Sequence, residues 1–116
     1  MSVLFILNDP PYGSERGYNA LRLANALNKR DKDTDIRVFL MADAVLSAKK
    51  GQKTPDGYYN MERMLKRIAA NGSLYLCGTC MGVRGLDEGD MMDGARMSTM
   101  DELANLTAEA DKVLVW

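Results

Sequence analysis

The sequence predicts an α/β fold: a flavodoxin-like three-layer sandwich around a five-stranded, mainly parallel sheet. Short apolar runs typical of buried strands alternate with longer segments whose apolar residues recur at helical spacing. The 116 residues are 47% hydrophobic and 27% charged, which is enough for one domain with its own core. We therefore expect 1–116 to form a single domain.

Four apolar runs and the short segment Ala95-Arg96-Met97 are the predicted strands. They cover 2–8, 35–41, 73–77, 95–97 and 112–116. The first run is closed by Asp9-Pro10-Pro11, which is a turn signal. The third is short and ends at Cys77. Because strands alternate with helices along the chain, right-handed crossovers between parallel strands are expected.

Helices are predicted between these strands. They cover 15–30, 42–49, 58–70 and 100–109. Ser14 is placed to cap the first helix, and Thr99 with Glu102 has the capping-box spacing at the start of the last. Residues 78–94 hold five glycines and are predicted to be mostly loop.

Charge and hydropathy exclude several classes of partner. The formal net charge is −1 and no basic run exceeds Lys49-Lys50, so nucleic acid has no electrostatic footprint to bind. No apolar stretch approaches a membrane span, and the run Val3–Leu7 is too short for a signal peptide. We expect a cytoplasmic protein with neither membrane nor nucleic-acid partners.

The sequence contains no histidine. Imidazole base catalysis, Ser-His and Cys-His pairs and most zinc chemistry are therefore excluded. A zinc site would need carboxylates such as Asp87 and Glu88, or two chains sharing ligands. No metal and no cofactor are expected.

The chemistry is expected at Cys77 and Cys80, the only cysteines in the chain. Cys77 should end a buried strand and Cys80 should lie in a mobile loop. A close CxxC pair in a cytosolic chain is typical of redox, metal or sulfur chemistry. The alternative is that Cys77 is only a small buried hydrophobe.

The residues that follow Cys77 are suited to stabilising an anionic sulfur. Backbone N–H groups of the turn containing Gly78, Thr79 and Gly85 can face a thiolate or persulfide, and Arg84 can add a positive charge. Ligands of parallel sheets bind beyond the carboxyl ends of the strands. The loops Asp9–Ser14, Ala42–Val45 and Gly78–Gly85 should meet at that edge.

Several segments, in order over nearly the whole chain, carry a family resemblance. They are Pro11–Glu15, Leu21–Ala24, Phe39–Val45, Gly51–Lys53, Leu76–Cys80, Arg84-Gly85 and Ala110–Trp116. They resemble the DsrE/DsrF-like proteins, especially the small YchN-type members. Among the matching positions, Tyr12, Gly13, Ser14 and Asp43 are taken as further supporting residues of the site.

The resemblance implies a homo-oligomer, either a trimer or a hexamer of two stacked trimers. The Met-rich segment 81–100 and Trp116 are also expected to contribute to a subunit interface. In sulfur-relay relatives a cysteine at the end of the third strand carries sulfur as a persulfide, and its counterpart here is Cys77.

The leading hypothesis is a sulfur carrier, and hence a possible sulfurtransferase, that passes sulfur from a donor protein to an acceptor protein through Cys77. A lowered thiol pKa, supported by Arg84, would favour this chemistry. Cys80 could release the sulfur by forming an intramolecular disulfide. The alternatives are an oligomeric binding module with structural cysteines and a dithiol oxidoreductase that uses both thiols.

Overall fold

A single sheet of five parallel strands forms the centre of the fold. The computed structural model describes all residues, 1–116. The strands are Ser2–Leu7 (β1), Asp35–Leu40 (β2), Ser73–Cys77 (β3), Ala95–Ser98 (β4) and Lys112–Val115 (β5). Their spatial order is β4-β3-β2-β1-β5, and every neighbouring pair is parallel. The predicted five-stranded α/β sandwich is confirmed.

Four α-helices and two short 3-10 helices connect the strands. The α-helices are Arg16–Arg30 (α1), Met61–Asn71 (α2), Gly78–Gly82 (α3) and Met100–Glu109 (α4), and the 3-10 helices are Ala42–Ala48 and Glu88–Asp90. β1 to β4 follow one another across the sheet, whereas β5 returns to the far side of β1. The connection from β4 to β5 thus runs across the sheet in the opposite direction to the connections among β1 to β4. Right-handed crossovers that run in opposite directions lie on opposite sheet faces, so α4 packs on the face that α1 and α2 leave free.

The two faces of the sheet are covered unequally. Phe5 points towards α1 and α2, in a cluster of 20 buried residues. Its neighbour Leu4 points to the other face, where the cluster holds only five buried residues: Leu4, Phe39, Tyr75, Leu103 and Leu106. The second face therefore has one helix, α4, as its cover within the chain.

The start of α1 differs from the prediction by one residue. Glu15 is the N-cap and makes no side-chain capping bond. The Ser14 hydroxyl donates to the Asp9 carboxylate at 2.7 Å and accepts a weaker bond from the Arg16 N–H at 3.3 Å. The prediction of Ser14 as the cap is wrong because this carboxylate holds the hydroxyl in the preceding loop.

The start of α2 also lies later than the apolar periodicity predicts. The Asn60 side chain accepts from the Arg63 N–H at 3.0 Å, so the helix begins at Met61 and not at 58. Tyr58 and Tyr59 stack on each other before the helix begins, with ring centroids 4.8 Å apart. Aromatic packing and a buried cap override the periodicity here.

Candidate functional site

A crevice of about 580 Å³ opens at the carboxyl ends of β2 and β3, beside the start of α4. Its lining consists of Phe39, Met41, Cys77, Gly78, Thr79, Cys80, Met97, Ser98, Thr99 and Met100. After β4 the chain crosses from the sheet face covered by α1 and α2 to the face covered by α4, and this crossing leaves a crevice at the strand ends. Both cysteines therefore open on the same concave surface.

Cys77 occupies the junction between β3 and α3. It is the last residue of β3 and the N-cap of α3, and its Sγ accepts a hydrogen bond from the Cys80 N–H at 3.3 Å. The residue is half-buried and its thiol is free. A rigid strand thus fixes this sulfur at the wall of the crevice, as the sequence predicts.

The expected lowering of the Cys77 pKa is wrong. Burial raises the pKa of this thiol, and hydrogen bonding to the neighbouring Cys80 thiol raises it further. The backbone N–H groups of Cys80 and Thr79 lower the pKa, but less than burial raises it. The amides of the turn therefore lower the Cys77 pKa as expected, but the net shift of the pKa is upwards.

Cys80 lies in α3 and not in a mobile loop, which corrects a second expectation. Its Sγ accepts a hydrogen bond from the Ala42 N–H at 3.2 Å. Ala42 has φ 51°, a left-handed conformation that is uncommon for residues other than glycine. This backbone turn at the end of β2 directs the amide of Ala42 at the sulfur and holds Cys80 in place.

Arg84 faces Asp43 and not the Cys77 sulfur. The Arg84 Nε and Nη2 atoms donate to Asp43 Oδ1 at 3.0 and 2.8 Å, and Nη1 donates to the Cys80 carbonyl at 3.1 Å. The guanidinium thus ties α3 to the 3-10 helix that follows β2. Its charge is compensated by Asp43, whose carboxylate lies 2.8 Å away.

Gly78, Thr79 and Gly85 have distinct positions around α3. A Cβ atom on Gly78 would lie 3.3 Å from both the Met97 methyl and the Ser98 carbonyl, so a side chain there would crowd β4. Thr79 is exposed at the rim of the crevice. Gly85 has φ +69°, a conformation that glycine adopts without strain, and does not line the crevice.

Tyr12, Gly13 and Ser14 lie outside the crevice that contains the cysteines. The Tyr12 hydroxyl donates to the Gln52 side chain and accepts from the Met61 N–H at 3.1 Å, which fixes the start of α2. The expectation that three loops meet at one site is therefore wrong for Asp9–Ser14. β2 separates the strand before that loop from β3.

Sequence reasoning missed the residues of the crevice that carry no reactive group. Phe39 and Met41 line it from the end of β2, and Met97 and Met100 line it from β4 and α4. Ser98 pairs with Cys77 in the sheet register and donates to Glu102 at 2.5 Å. Strand pairing would have revealed Ser98, but only if the neighbour of β3 had been known.

Comparison with known proteins agrees with this geometry. The model of the DsrE/DsrF-like family matches residues 1–116. The chain belongs to the DsrE/DsrF-like family. It is 43% identical to Protein YchN of Escherichia coli strain K12 over 115 residues, which are 98% of this chain and 97% of that protein. The expected family membership is thereby confirmed.

Two solved structures have the same fold. The crystal structure of YchN from E. coli superposes with a TM-score of 0.94 at 42% identity, over 100% of this chain and 99% of that one. A protein of unknown function from Methanobacterium thermoautotrophicum shares the fold at 12% identity, with a TM-score of 0.81 and coverage of 99% and 98%. The DsrE/DsrF-like chain therefore shares its fold with a protein of very different sequence.

Two further properties of this DsrE/DsrF-like chain concern metals and membranes. No group of three or more Cys, Asp or Glu side chains is placed to hold a metal ion. None of the helices combines the length and the apolar character that crossing a lipid bilayer requires.

Proposed function

We propose that this chain is a sulfur carrier in which Cys77 takes up persulfide sulfur and passes it to a partner protein. One observation carries the proposal: a free, half-buried thiol at the end of β3 opens on an apolar crevice, with a second free thiol three residues away. Membership of the DsrE/DsrF-like family supports the same chemistry. Neither a metal nor a cofactor takes part.

Loading is a thiol–persulfide exchange. The Cys77 thiolate attacks the outer sulfur of a donor persulfide, R–S–SH, which gives Cys77–S–SH and the donor thiolate R–S⁻. The Cys77 proton passes to water or to the departing thiolate, because the chain has no histidine to accept it. An acceptor thiolate then attacks the outer sulfur of Cys77–S–SH and regenerates the Cys77 thiolate.

Cys80 offers a second route for releasing the sulfur. Its thiolate can attack the inner sulfur of the Cys77 persulfide, which forms a Cys77–Cys80 disulfide and expels HS⁻. A cellular dithiol or the glutathione pool must then reduce the disulfide. We place the protein in the cytoplasm, where such reductants keep thiols reduced. Proteins that donate and accept sulfur are its proposed partners.

Single-cysteine variants test this division of roles. After exposure to a persulfide donor, the wild-type protein should gain the mass of one sulfur atom, about 32 Da. Cys77→Ser should abolish this gain, whereas Cys80→Ser should retain it and prolong its lifetime, because the intramolecular release route is lost. Intact-mass spectrometry over time measures both effects.

Two results would contradict the proposal. Uptake in Cys77→Ser combined with none in Cys80→Ser would reverse the roles of the two thiols. The absence of uptake in all three proteins would remove the carrier function and favour an oligomeric binding module with structural cysteines. Circular dichroism of each variant provides the control for folding.

A dithiol oxidoreductase is the second candidate, because the Cys80 N–H contacts the Cys77 sulfur and both thiols are free. Such an enzyme would form a reversible Cys77–Cys80 disulfide without any persulfide. Equilibration with glutathione buffers of defined potential, read out by alkylation and mass, would measure its stability. A carrier that passes its sulfur directly to an acceptor protein needs no such disulfide.

A further inference from the structure

We infer that the crevice selects sulfur donors whose reacting end is uncharged and apolar, and that it discriminates against anionic persulfides. This inference rests on the proposed carrier function and names the class of substrate. The preferred donor is a persulfurated cysteine at the surface of a partner protein, with apolar side chains on both sides of it.

None of the ten lining residues carries a charged side chain. Phe39 and the three methionines supply the apolar surface, and the methionine side chains can adapt to the shape of a bound peptide. The hydroxyl groups of the lining are partly committed: Ser98 donates to Glu102, and Thr99 accepts from the Glu102 N–H at 3.2 Å. A carboxylate that entered the crevice would lose hydration and find no cation in exchange.

Two arginines beside lining residues of the crevice already have anionic partners. Arg84 is paired with Asp43. Arg96 lies over the Tyr75 ring at 5.0 Å and is paired with Glu102 at 3.0 Å. The first turn of α4, which starts at the crevice, carries two acidic residues, Asp101 and Glu102. The charged side chains around the crevice therefore carry no net positive charge, and they do not attract an approaching anion.

The selection acts on the donor group R and not on the transferred sulfur. In the exchange the donor leaves as R–S⁻, and the proton released by Cys77 can neutralise it. Additional negative charge on R must still enter the crevice before the reaction, and it costs free energy in both the bound state and the transition state. An apolar R instead binds more favourably, because it removes exposed apolar surface of Met97 and Met100 from water.

Matched donors test the inference. Short peptides with one persulfurated cysteine differ only in the two flanking residues, which are Leu, Lys or Glu, and glutathione persulfide serves as an anionic small molecule. The initial rate of sulfur gain should be about tenfold or more higher for the Leu peptide than for the Glu peptide and glutathione persulfide. Intact-mass spectrometry at fixed donor concentration measures all four rates.

Variants of the crevice provide the second arm. Met100→Lys places a cation at the exposed rim and should raise the rate with the Glu peptide several-fold, an effect that added salt should reduce. Leu23→Lys, at an exposed apolar position on α1 outside the crevice, adds the same charge and should change nothing.

The outcomes separate the two proposals. Equal rates for the Leu and Glu peptides, or a faster reaction with glutathione persulfide, would overturn the selectivity while the carrier function stands. An identical gain from Met100→Lys and Leu23→Lys would reduce the effect to net charge and would also overturn it. A protein that takes sulfur from none of the donors is not a carrier, and the inference would fail with that function.

Discussion

The proton on Cys77 controls how fast this thiol reacts, because the thiolate is the nucleophile. Burial and the Cys80 thiol both raise the pKa of Cys77, so the neutral thiol predominates at neutral pH. Below its pKa, the thiolate fraction and the alkylation rate should rise about tenfold per pH unit. A half-buried site with few charges thus gives a thiol that reacts slowly at neutral pH.

Replacing the neighbouring thiol should make Cys77 more acidic. Cys80→Ser removes the sulfur that raises the Cys77 pKa, so the curve of Cys77 alkylation against pH should shift to lower pH. Arg84→Met is the control, and it should leave the curve in place because the guanidinium faces Asp43. Peptide-resolved mass spectrometry after iodoacetamide treatment measures both curves.

Either variant can contradict this assignment. A curve that moves to higher pH in Cys80→Ser would mean that the second sulfur stabilises the thiolate. A curve that moves to higher pH in Arg84→Met would restore the direct electrostatic role that the sequence suggested for Arg84.

The starts of helices depend on the loops before them, as the caps of α1 and α2 illustrate. Asn60 is buried, its carbonyl oxygen accepts from the Arg63 N–H, and its amide donates to the Gln52 carbonyl at 3.2 Å. Asn60→Ala should lower the free energy of unfolding by about 1–2 kcal/mol. Denaturant unfolding monitored by circular dichroism measures the change.

Ser14→Ala is the matched control for that experiment. Ser14 precedes the N-cap of α1, and its hydroxyl accepts only a long hydrogen bond, from the Arg16 N–H at 3.3 Å. Its loss should lower the free energy of unfolding by less than about 1 kcal/mol, mainly through the bond to Asp9. A loss as large as that of Asn60→Ala would show that Ser14 is the dominant cap after all.

The sequence predicted the elements of this fold better than the contacts between them. All five strands were placed to within one residue. The apolar runs of β1, β2 and β3 were the clearest signal, because these strands are buried on both sheet faces. The position of Cys77 followed from the end of β3. The helical state of Cys80 did not, since glycines on both sides favour a loop while a hydrogen bond from Ala42, 38 residues earlier, fixes the sulfur.

The same limit applies to Arg84 and Tyr12. Proximity in sequence suggested that Arg84 faces Cys77, but Asp43 is a stronger partner that only the folded chain brings near. The family resemblance placed Tyr12 among the supporting residues without giving its position in space. Strand order decides that position, because β2 lies between β1 and β3.

The protein as a whole leaves one sheet face thinly covered. α4 is the only helix packed there. Val113 and Val115 of β5 lie beside Leu4 and Ile6 in the sheet register, and both valines are exposed. Parallel sheets are ordinarily covered on both faces. The methionines expected at an interface divide into two groups: Met81, Met91 and Met92 are buried in the protomer, whereas Met97 and Met100 are exposed.

We infer that further copies of the chain cover this face at its β5 end, around Val113 and Val115, and leave the crevice beside β3 and β4 open; the family resemblance also implies an oligomer. Light scattering at micromolar concentration should give at least three times the mass of one chain, corresponding to a trimer or a hexamer. The double variant Val113→Asp and Val115→Asp should shift the mass towards the monomer, because carboxylates buried without partners cost several kcal/mol. Leu23→Asp, an exposed apolar position on the opposite face, should keep the assembly intact. A monomeric wild-type protein would refute this inference. Dissociation by Leu23→Asp alone would instead locate the interface on α1.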